Sequence, residues 1–182
     1  LLVFDTKVFL HTAPRPNDDP ITDQISVNIS AVNAFKSGAS VATCYLSDLQ
    51  KMPLDCYKAV VFVNCYLMEP ALRKWIRANV ATGGRSLFWL TAPAYNDGTR
   101  LSAANVCDAS GIRLEAFKSA EIPDICYAAN LGGFAQTGES MAGVDARTAE
   151  QTFFRVSDPS AEALGFFNDG TTAAMGSVLF SS

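Results

Sequence analysis

Side chains with reactive or ligand-binding chemistry follow three apolar runs of the sequence. Asp5 ends LLVFD, Asn64 ends KAVVFVN with Cys65 directly after it, and Thr91 follows SLFWL. In an open α/β sheet, ligands and reactive groups gather at the carboxyl ends of the strands, because loops and helix N-termini meet there. These residues are therefore the first candidates for a nucleophile, a base or a binding group.

A nucleophile elbow needs a cysteine or serine at a sharp turn between a strand and a helix. The stretch LTAPAY offers only Thr91, and Pro93 lacks the N–H group that such a turn uses. A threonine hydroxyl also needs an adjacent base, so a plain connecting turn is the favoured interpretation. Cys65 is the remaining thiol nucleophile, and its alternative role is that of a packed core residue.

Acid/base chemistry has few candidates. His11 is the single histidine, and no nucleophile is placed to match it. Two carboxylates held several ångströms apart can act on a glycosidic bond. The carboxylates expected at the strand ends are Asp5, Asp48, Glu69, Asp97 and Asp124. The sequence alone does not place any two of them at that distance. The alternative is that these side chains are solvated or cap helices.

No cofactor or metal site is predicted. Zinc needs two or three nitrogen or sulfur partners, and His11 has none at a suitable spacing. Gly132-Gly133 is not followed by Lys-Ser/Thr, and no GxGxxG is present, so phosphate loops and dinucleotide binding are disfavoured. The loop DTKVFLHTAPRP is dominated by bulky residues and prolines, which does not suit the flavin phosphate of an electron carrier.

Composition indicates a single globular domain over residues 1–182. The chain has 49% hydrophobic and 18% charged residues, which excludes a disordered protein. Its net charge is -4 and it has no run of lysine or arginine, so nucleic acid is not an expected partner. No apolar run approaches the roughly 20 residues that a membrane span needs, so no membrane association is expected.

Five cysteines without a CxxC pair predict free thiols and a reducing, cytoplasmic location. The sequence opens on LLVFD without a basic segment or a cleavage site, so this start does not resemble a signal peptide. We interpret it as a strand of a domain excised from a longer multidomain protein.

Strands and helices are predicted to alternate about every 20 residues, which favours βαβ crossovers and a parallel sheet. The predicted strands are LLVFD, SVATCYL (residues 40–46), KAVVFVN (58–64) and SLFWL (86–90). Ser47 and Asp48 directly follow SVATCYL and are therefore further candidates at a strand end. From residue 112 to residue 149 we expect irregular loops and short strands. The strand TFFRVSD (152–158) and the turn signal Asn168-Asp169-Gly170 then predict an antiparallel C-terminal extension.

Three helices are predicted between these strands. The first runs from Pro20 to Gly38, the second begins at Pro70 and stops at Gly83-Gly84, and the third is capped by Ser102 and ends before Gly111. The second helix has Arg73, Lys74 and Arg77 off its apolar face. The apolar stripes are Ile21, Ile25, Ile29, Val32 and Phe35 in the first helix, and Leu72, Trp75, Ile76 and Val80 in the second.

Two stretches carry a resemblance to a known family. YKAVVFVNCYLMEPALRKWIRANVATGGRSLFWLTAPAYNDG and LSAANVCDASGIRL, which together span residues 57–114, are similar to the class I glutamine amidotransferase-like domain. That domain occurs as the trimerisation, or middle, domain of family 42-type β-galactosidases and related large glycoside hydrolases. The shared pattern is a strand ending in Asn plus an aromatic, a helix of mixed charge, Gly-Gly, a strand LxWLxAPxY and a helix leading to SGI.

The resemblance implies a flavodoxin-like three-layer sandwich with a mainly parallel sheet. True amidotransferases have a Gly-x-Cys-x-Gly elbow and a distant His-x-Glu, whereas this chain has WLTAPAY and no later histidine. The resemblance therefore implies a non-catalytic packing and oligomerisation module. Its partners would be other domains of the same polypeptide, including a glycoside hydrolase barrel, and further copies of the chain.

Two functional hypotheses follow. The first is a non-catalytic accessory domain of a carbohydrate-active enzyme, with no catalytic residue, metal or cofactor of its own. The second is a small-molecule or sugar-binding domain, or a weak hydrolase, that uses the crevice at the strand ends, with aromatic rings stacking on a sugar. The ligand-binding residues of this second hypothesis are Asp5, Asn64, Cys65, Tyr66, Thr91 and Tyr95.

Overall fold

The computed structural model describes residues 1–7, 32, 34–90, 93–119, 125–127, 140–141, 151–162 and 165–167. The chain divides into two compact units, one built on Leu1–Ser110 and the other on Gly111–Val178. In the described part of the chain, no helix has both the length and the hydrophobicity that crossing a membrane requires.

The first unit is organised around a parallel sheet. Its four strands are β1 (Leu2–Phe4), β2 (Thr43–Tyr45), β3 (Ala59–Phe62) and β4 (Ser86–Trp89). All three strand pairings are parallel, and the order across the sheet is β2-β1-β3-β4. The predicted α/β class with a parallel sheet is therefore confirmed. β1 and β3 lie in the middle of this sheet, which explains their nearly continuous apolar sequences.

The main core lies on one face of this sheet. Alternation along the strands places Val3, Val60, Phe62 and Leu87 on that face, and all four are buried. The ring of Phe62 stacks on Trp89 of the neighbouring strand, with ring centroids 4.0 Å apart and an interplanar angle of 12°. Leu2, Phe4 and Val63 form a second cluster. The centre of the sheet is thus buried on both sides.

Helix α1 (Pro70–Asn79) covers the main core. Pro70 occupies a first-turn position, where its missing N–H costs no hydrogen bond. Ile76 and Val80 are buried in the core, and Leu72 and Trp75 pack against it half-buried. The predicted helix start and its predicted apolar face are both confirmed.

Arg73 is buried, whereas the sequence predicted it to lie off the apolar face of α1. It is only 5% exposed. Its Nε donates to Oδ2 of Asp108 at 2.8 Å, and its guanidinium also donates to the carbonyl oxygen of Met68 at 2.7 Å. Asp108 belongs to helix α2 (Ala103–Ser110), which lies beside α1. Arg73 can be buried because this second helix supplies a carboxylate for its charge.

Helix α2 has the bounds that the sequence predicts, whereas α1 ends at Asn79, before the predicted stop at Gly83-Gly84. Ser102 accepts the N–H of Ala104 at 3.2 Å, which caps the start of α2, and Gly111 follows its last residue with a φ of 77°. After α1, Gly83 and Gly84 have φ values of 66° and 68°. These left-handed conformations favour glycine, so they turn the chain out of the helix and into β4.

The segment before β2 differs from the sequence analysis. Residues 34–36 are helical, and Gly38 has a φ of 76°. However, Val32 and Phe35 of the predicted apolar stripe are 49% and 56% exposed, whereas Ala34 packs against the second cluster. The stripe was wrong at these positions because the helix presents its small residue to the sheet. Ile21, Ile25, Ile29 and the loop from Thr12 to Asp19 lie outside the described residues.

The predicted second strand is shorter than expected. Only Thr43–Tyr45 is extended, and a 3-10 helix, Leu46–Lys51, follows at once. A second 3-10 helix spans Leu54–Cys56. Neither 3-10 helix was predicted, because elements this short have no periodic hydrophobic pattern.

The strand pairings of the second unit are antiparallel, which confirms the antiparallel strands predicted for the C-terminal region. β5 (Leu114–Ser119) pairs with β8 (Gln151–Val156), and a separate three-stranded sheet has the order β7-β6-β9. The strands of this second sheet are β6 (Ile125–Tyr127), β7 (Ser140–Met141) and β9 (Gly165–Phe167). β5, β6 and β7 lie within residues 112–149, where irregular loops and short strands were expected. The turn signal at Asn168-Asp169-Gly170 lies outside the described residues.

Asp158 follows β8 and binds the segment before β5, and it should make the stability of the fold depend on pH. Its carboxylate accepts the hydroxyl and N–H of Ser160 at 2.6 and 3.0 Å and the N–H of Arg113 at 3.0 Å. The hydrogen bonds from Ser160, followed by that from Arg113, lower the pKa of Asp158 from 3.8 to about 2. Because the folded-state pKa is depressed, this stabilisation is present above pH 3.8 and is lost as the pH falls toward 2.

We therefore expect Asp158→Asn to flatten the decline in stability between about pH 4 and pH 2. Urea midpoints measured by circular dichroism across that range would test this. Glu162→Gln, at an exposed position on the same segment, serves as the control and should keep the wild-type profile. An unchanged profile in Asp158→Asn would contradict the assignment.

Candidate functional site

A cleft of about 340 Å³ lies at the carboxyl ends of the parallel strands. Three segments line it, namely those that follow β1, β2 and β3. The lining residues are Asp5, Thr6 and Lys7 after β1, Leu46, Ser47 and Gln50 after β2, and Leu67, Glu69, Ala71 and Leu72 after β3. The last two belong to the first turn of α1.

Strand order explains why a cleft forms at this point. The chain leaves β1 toward β2 on one side and later returns to β3 on the other side. The segments after the neighbouring strands β1 and β3 therefore run in opposite directions. The place where they separate is the topological switch point, at which open α/β sheets bind ligands. The cleft thus occupies the expected ligand position of the sheet.

Asp5 is the buried carboxylate of the cleft. It directly follows β1, and its Oδ1 accepts the N–H of Lys7 at 2.9 Å. Its backbone is fixed by Asn64, whose Oδ1 accepts the Asp5 N–H at 2.8 Å and whose Nδ2 donates to the Asp5 carbonyl at 3.1 Å. Asn64 therefore positions Asp5 and is not among the residues that line the cleft.

Cys65 is not placed to attack a ligand. Its side chain is fully buried, and its Sγ donates to the carbonyl oxygen of Val3 at 3.6 Å. Burial, reinforced by the nearby negative charge of Asp5, raises the pKa of this thiol far above its usual range. Since the thiolate is the reactive form, Cys65 acts as a small core residue.

Alkylation of the native chain tests this assignment. We expect iodoacetamide at pH 8 to modify exposed Cys56 rapidly, and Cys65 at least about 100-fold more slowly, because the reagent needs an accessible thiolate. Peptide mapping by mass spectrometry measures both rates. In urea the two cysteines should react alike, and equal rates in the native state would contradict burial of Cys65.

Tyr66 and Tyr95 contact each other. Their rings meet edge to face, with centroids 5.9 Å apart and an interplanar angle of 62°. Burial, followed by the proximity of Tyr95, raises the pKa of Tyr66. Neither ring lines the cleft, so of the five proposed binding residues that the structure describes, only Asp5 does so. Thr91 lies outside the described residues.

The turn after β4 contains Ala94, whose φ is 58°. Among the described residues it is the single non-glycine residue with a positive φ, and it is fully buried. Its N–H donates to the carbonyl oxygen of Cys65 at 2.7 Å, which fixes this turn against the segment after β3. A nucleophile elbow places its reactive side chain at a strained residue of this kind, whereas Ala94 carries only a methyl group.

The predicted carboxylates divide into two groups. Asp48 pairs with Lys51 at 2.7 Å, and Asp97 accepts the N–H groups of Thr99 and Arg100 within its own turn. Hydrogen bonds from Thr99, above all, hold the pKa of Asp97 well below its usual range. Asp5 and Glu69 instead line the same cleft, whereas Asp124 lies outside the described residues.

Lys7 and Gln50 also line the cleft, although the sequence did not predict them as site residues. Gln50 reaches it because the unpredicted 3-10 helix Leu46–Lys51 folds back directly after β2. Within the described ranges, no group of three or more His, Cys, Asp or Glu side chains could hold a metal ion.

Comparison with known proteins gives no relative from which to transfer a function. No protein-family model matches the chain. A search of curated proteins likewise finds no match.

Proposed function

We propose that this chain is a non-catalytic accessory domain of a carbohydrate-active enzyme, and that it works by contact with other domains or with a second copy. The observation that carries this proposal is the chemistry of the strand ends. Cys65 is buried with a raised thiol pKa, and the strained turn after β4 presents the methyl group of Ala94. In the described part of the chain, neither position offers an accessible nucleophile.

Strand order supports the finer fold assignment within this proposal. The order β2-β1-β3-β4 agrees with the first four strands of the flavodoxin-like order 2-1-3-4-5. A flavodoxin-like sandwich is the fold that the resemblance to the amidotransferase-like domain implies. The segments after β3 and β4 that carry this resemblance form one connected region of the first unit, joined by the hydrogen bond from Ala94 to Cys65.

Exposed apolar side chains on β4 and just after it favour a contact function. Phe88, on the outer strand of the described sheet, is 43% exposed, and Leu90, which directly follows β4, is 41% exposed. Leu101 is 57% exposed. Alternation along the strand puts Phe88 and Leu90 on the same side of the sheet, and apolar side chains that are grouped on a surface are typical of sites where another protein packs.

Activity assays of the 182-residue chain test the absence of catalysis. We expect no turnover of nitrophenyl galactosides or of glutamine above the buffer rate. The matched variants are Cys65→Ala and Cys56→Ala, which remove a buried and an exposed thiol. Turnover that is lost in Cys65→Ala but kept in Cys56→Ala would overturn the proposal.

Sedimentation velocity tests the contact function. We expect the average mass of the wild-type chain to rise with concentration, and the double variant Phe88→Ser/Leu90→Ser to remain monomeric. Both side chains are already partly exposed, so these substitutions should lower stability only modestly and leave the chain folded, which thermal unfolding would verify. Association that persists unchanged in the double variant would show that β4 is not the contact surface.

Binding of a small molecule in the strand-end crevice is the second candidate function. The cleft of about 340 Å³ at the switch point is the observation that favours it. This function is compatible with the first, because binding requires no nucleophile.

A further inference from the structure

We infer that the cleft between the segments after β1, β2 and β3 binds a neutral, polyhydroxylated small molecule about the size of one sugar ring. Asp5, Ser47 and Gln50 would be its principal hydrogen-bonding residues. This inference rests on the second candidate function and names its ligand class. It also assigns the site to residues other than the Tyr66–Tyr95 pair.

The size of the cleft limits the ligand. Its volume of about 340 Å³ lies at the lower end of the range of ligand pockets, about 300 to 1,000 Å³. A dinucleotide or a long oligosaccharide would extend well beyond it. A single ring with its substituents matches the space between the three segments.

The polar groups of the cleft complement hydroxyl groups. The Asp5 carboxylate accepts hydrogen bonds, the Ser47 hydroxyl donates and accepts, and the Gln50 amide does both. Adjacent hydroxyl groups on a ring also donate and accept, so each can pair with a different member of this set. Because Asp5 is buried and its backbone is held by Asn64, its acceptor atoms are fixed before a ligand arrives.

The apolar lining suits the other part of such a molecule. Leu46, Leu67 and Leu72 line the same cleft as the polar residues. The C–H face of a sugar ring can pack on these side chains while its hydroxyl groups point toward Asp5 and Gln50. A fully charged or fully polar ligand would leave the leucines without a complementary surface.

The charge of the cleft argues against an anionic ligand. Its charged residues are two carboxylates, Asp5 and Glu69, and one exposed ammonium group, Lys7. Two carboxylates against one ammonium group give an excess of negative charge, as in the whole chain with its net charge of -4. A phosphorylated or carboxylated compound would be repelled, whereas a neutral polyol would not.

Ligand-observed NMR with the full chain tests this inference. The probes are D-galactose and D-glucose as neutral ligands, glucose 6-phosphate as an anion and putrescine as a cation. We expect saturation transfer to at least one neutral sugar, with a dissociation constant in the millimolar range, and at least about tenfold weaker binding of glucose 6-phosphate. Putrescine has no hydroxyl groups to pair with Ser47 and Gln50, so we expect it to bind no more tightly than the sugar even though the cleft is negatively charged. The inference would be overturned if either charged probe bound more tightly than the sugars, or if neither sugar bound.

Variants then locate the site. Ser47→Trp fills the cleft from an exposed position and should abolish sugar binding, and Asp5→Asn should weaken it about tenfold through loss of a charged acceptor. Gln50→Ala, also exposed, tests the site if Asp5→Asn does not fold. Asp48→Asn is the matched control, since it removes a carboxylate from the same 3-10 helix but outside the cleft, and binding should not change.

Binding that survives Ser47→Trp and Gln50→Ala would place the sugar elsewhere and overturn the inference. Its failure is distinguishable from failure of the leading proposal, which concerns turnover and contact through β4. A chain that binds no sugar but also shows no turnover would leave the accessory function intact.

Discussion

Phe62→Ala is expected to lower the free energy of unfolding by about 4 kcal/mol. Phe62 lies on β3, in the interior of the parallel sheet, and is fully buried. Its ring stacks on Trp89 with centroids 4.0 Å apart. Removing the ring deletes this contact and leaves a cavity that the surrounding strands can only partly fill. Urea unfolding followed by circular dichroism and tryptophan fluorescence would measure the loss.

Phe88→Ala is the matched control for this change. Phe88 lies on the adjacent strand, pairs with Val61 in the register of the sheet and is 43% exposed. We expect a loss of about 1 kcal/mol or less, because part of its ring is already in water. Equal losses for Phe62→Ala and Phe88→Ala would show that the main core is not organised around the Phe62–Trp89 stack.

Arg85→Met is expected to cost about 3 kcal/mol of stability, because it removes a buried donor from several carbonyl groups. The guanidinium of Arg85 donates to the carbonyl oxygens of Asn79 and Thr82 at 3.1 and 2.8 Å, where α1 ends, and to that of Leu54 at 3.1 Å. Helix ends leave such carbonyls without partners inside the helix. Methionine approximates the length of the arginine stem but donates nothing, so these acceptors would lose their partner.

Asp55→Asn separates the two kinds of interaction that Arg85 makes. Asp55 also pairs with the Arg85 guanidinium, at 3.1 Å, but its own side chain is fully exposed. Exposed ion pairs contribute little, so we expect no measurable change in the urea midpoint. If Asp55→Asn proved as destabilising as Arg85→Met, the ion pair and not the helix carbonyls would explain the role of Arg85.

Much of the first unit could be predicted from the sequence because its elements are encoded locally. LLVFD and KAVVFVN are apolar runs typical of buried parallel strands, Pro70 begins α1, and Gly83-Gly84 turns the chain toward β4. Arg73 was misplaced because the carboxylate that permits its burial, Asp108, lies 35 residues away on another helix. A pattern within one helix contains no information about such a partner.

The candidate site was predictable only where it depends on a strand end. Asp5 lines the cleft because it directly follows β1. Tyr66 and Tyr95 were proposed for the same reason, but they pair with each other after β3 and β4. Gln50 was not proposed, because its position depends on a 3-10 helix too short to leave a periodic signal.

The paired hydrogen bonds between Asn64 and Asp5 have a consequence for how this sheet ends. The Asn64 amide accepts an N–H and donates to a C=O of the same residue, so it behaves as a surrogate peptide group one position beyond the last rung between β1 and β3. Aspartate could accept the N–H but not donate to the C=O, and an apolar side chain could make neither hydrogen bond. Asn64 therefore extends the hydrogen-bonding pattern between β1 and β3 by one position. As a result, the backbone of Asp5 is held as rigidly as a strand residue, although Asp5 lies in the loop after β1.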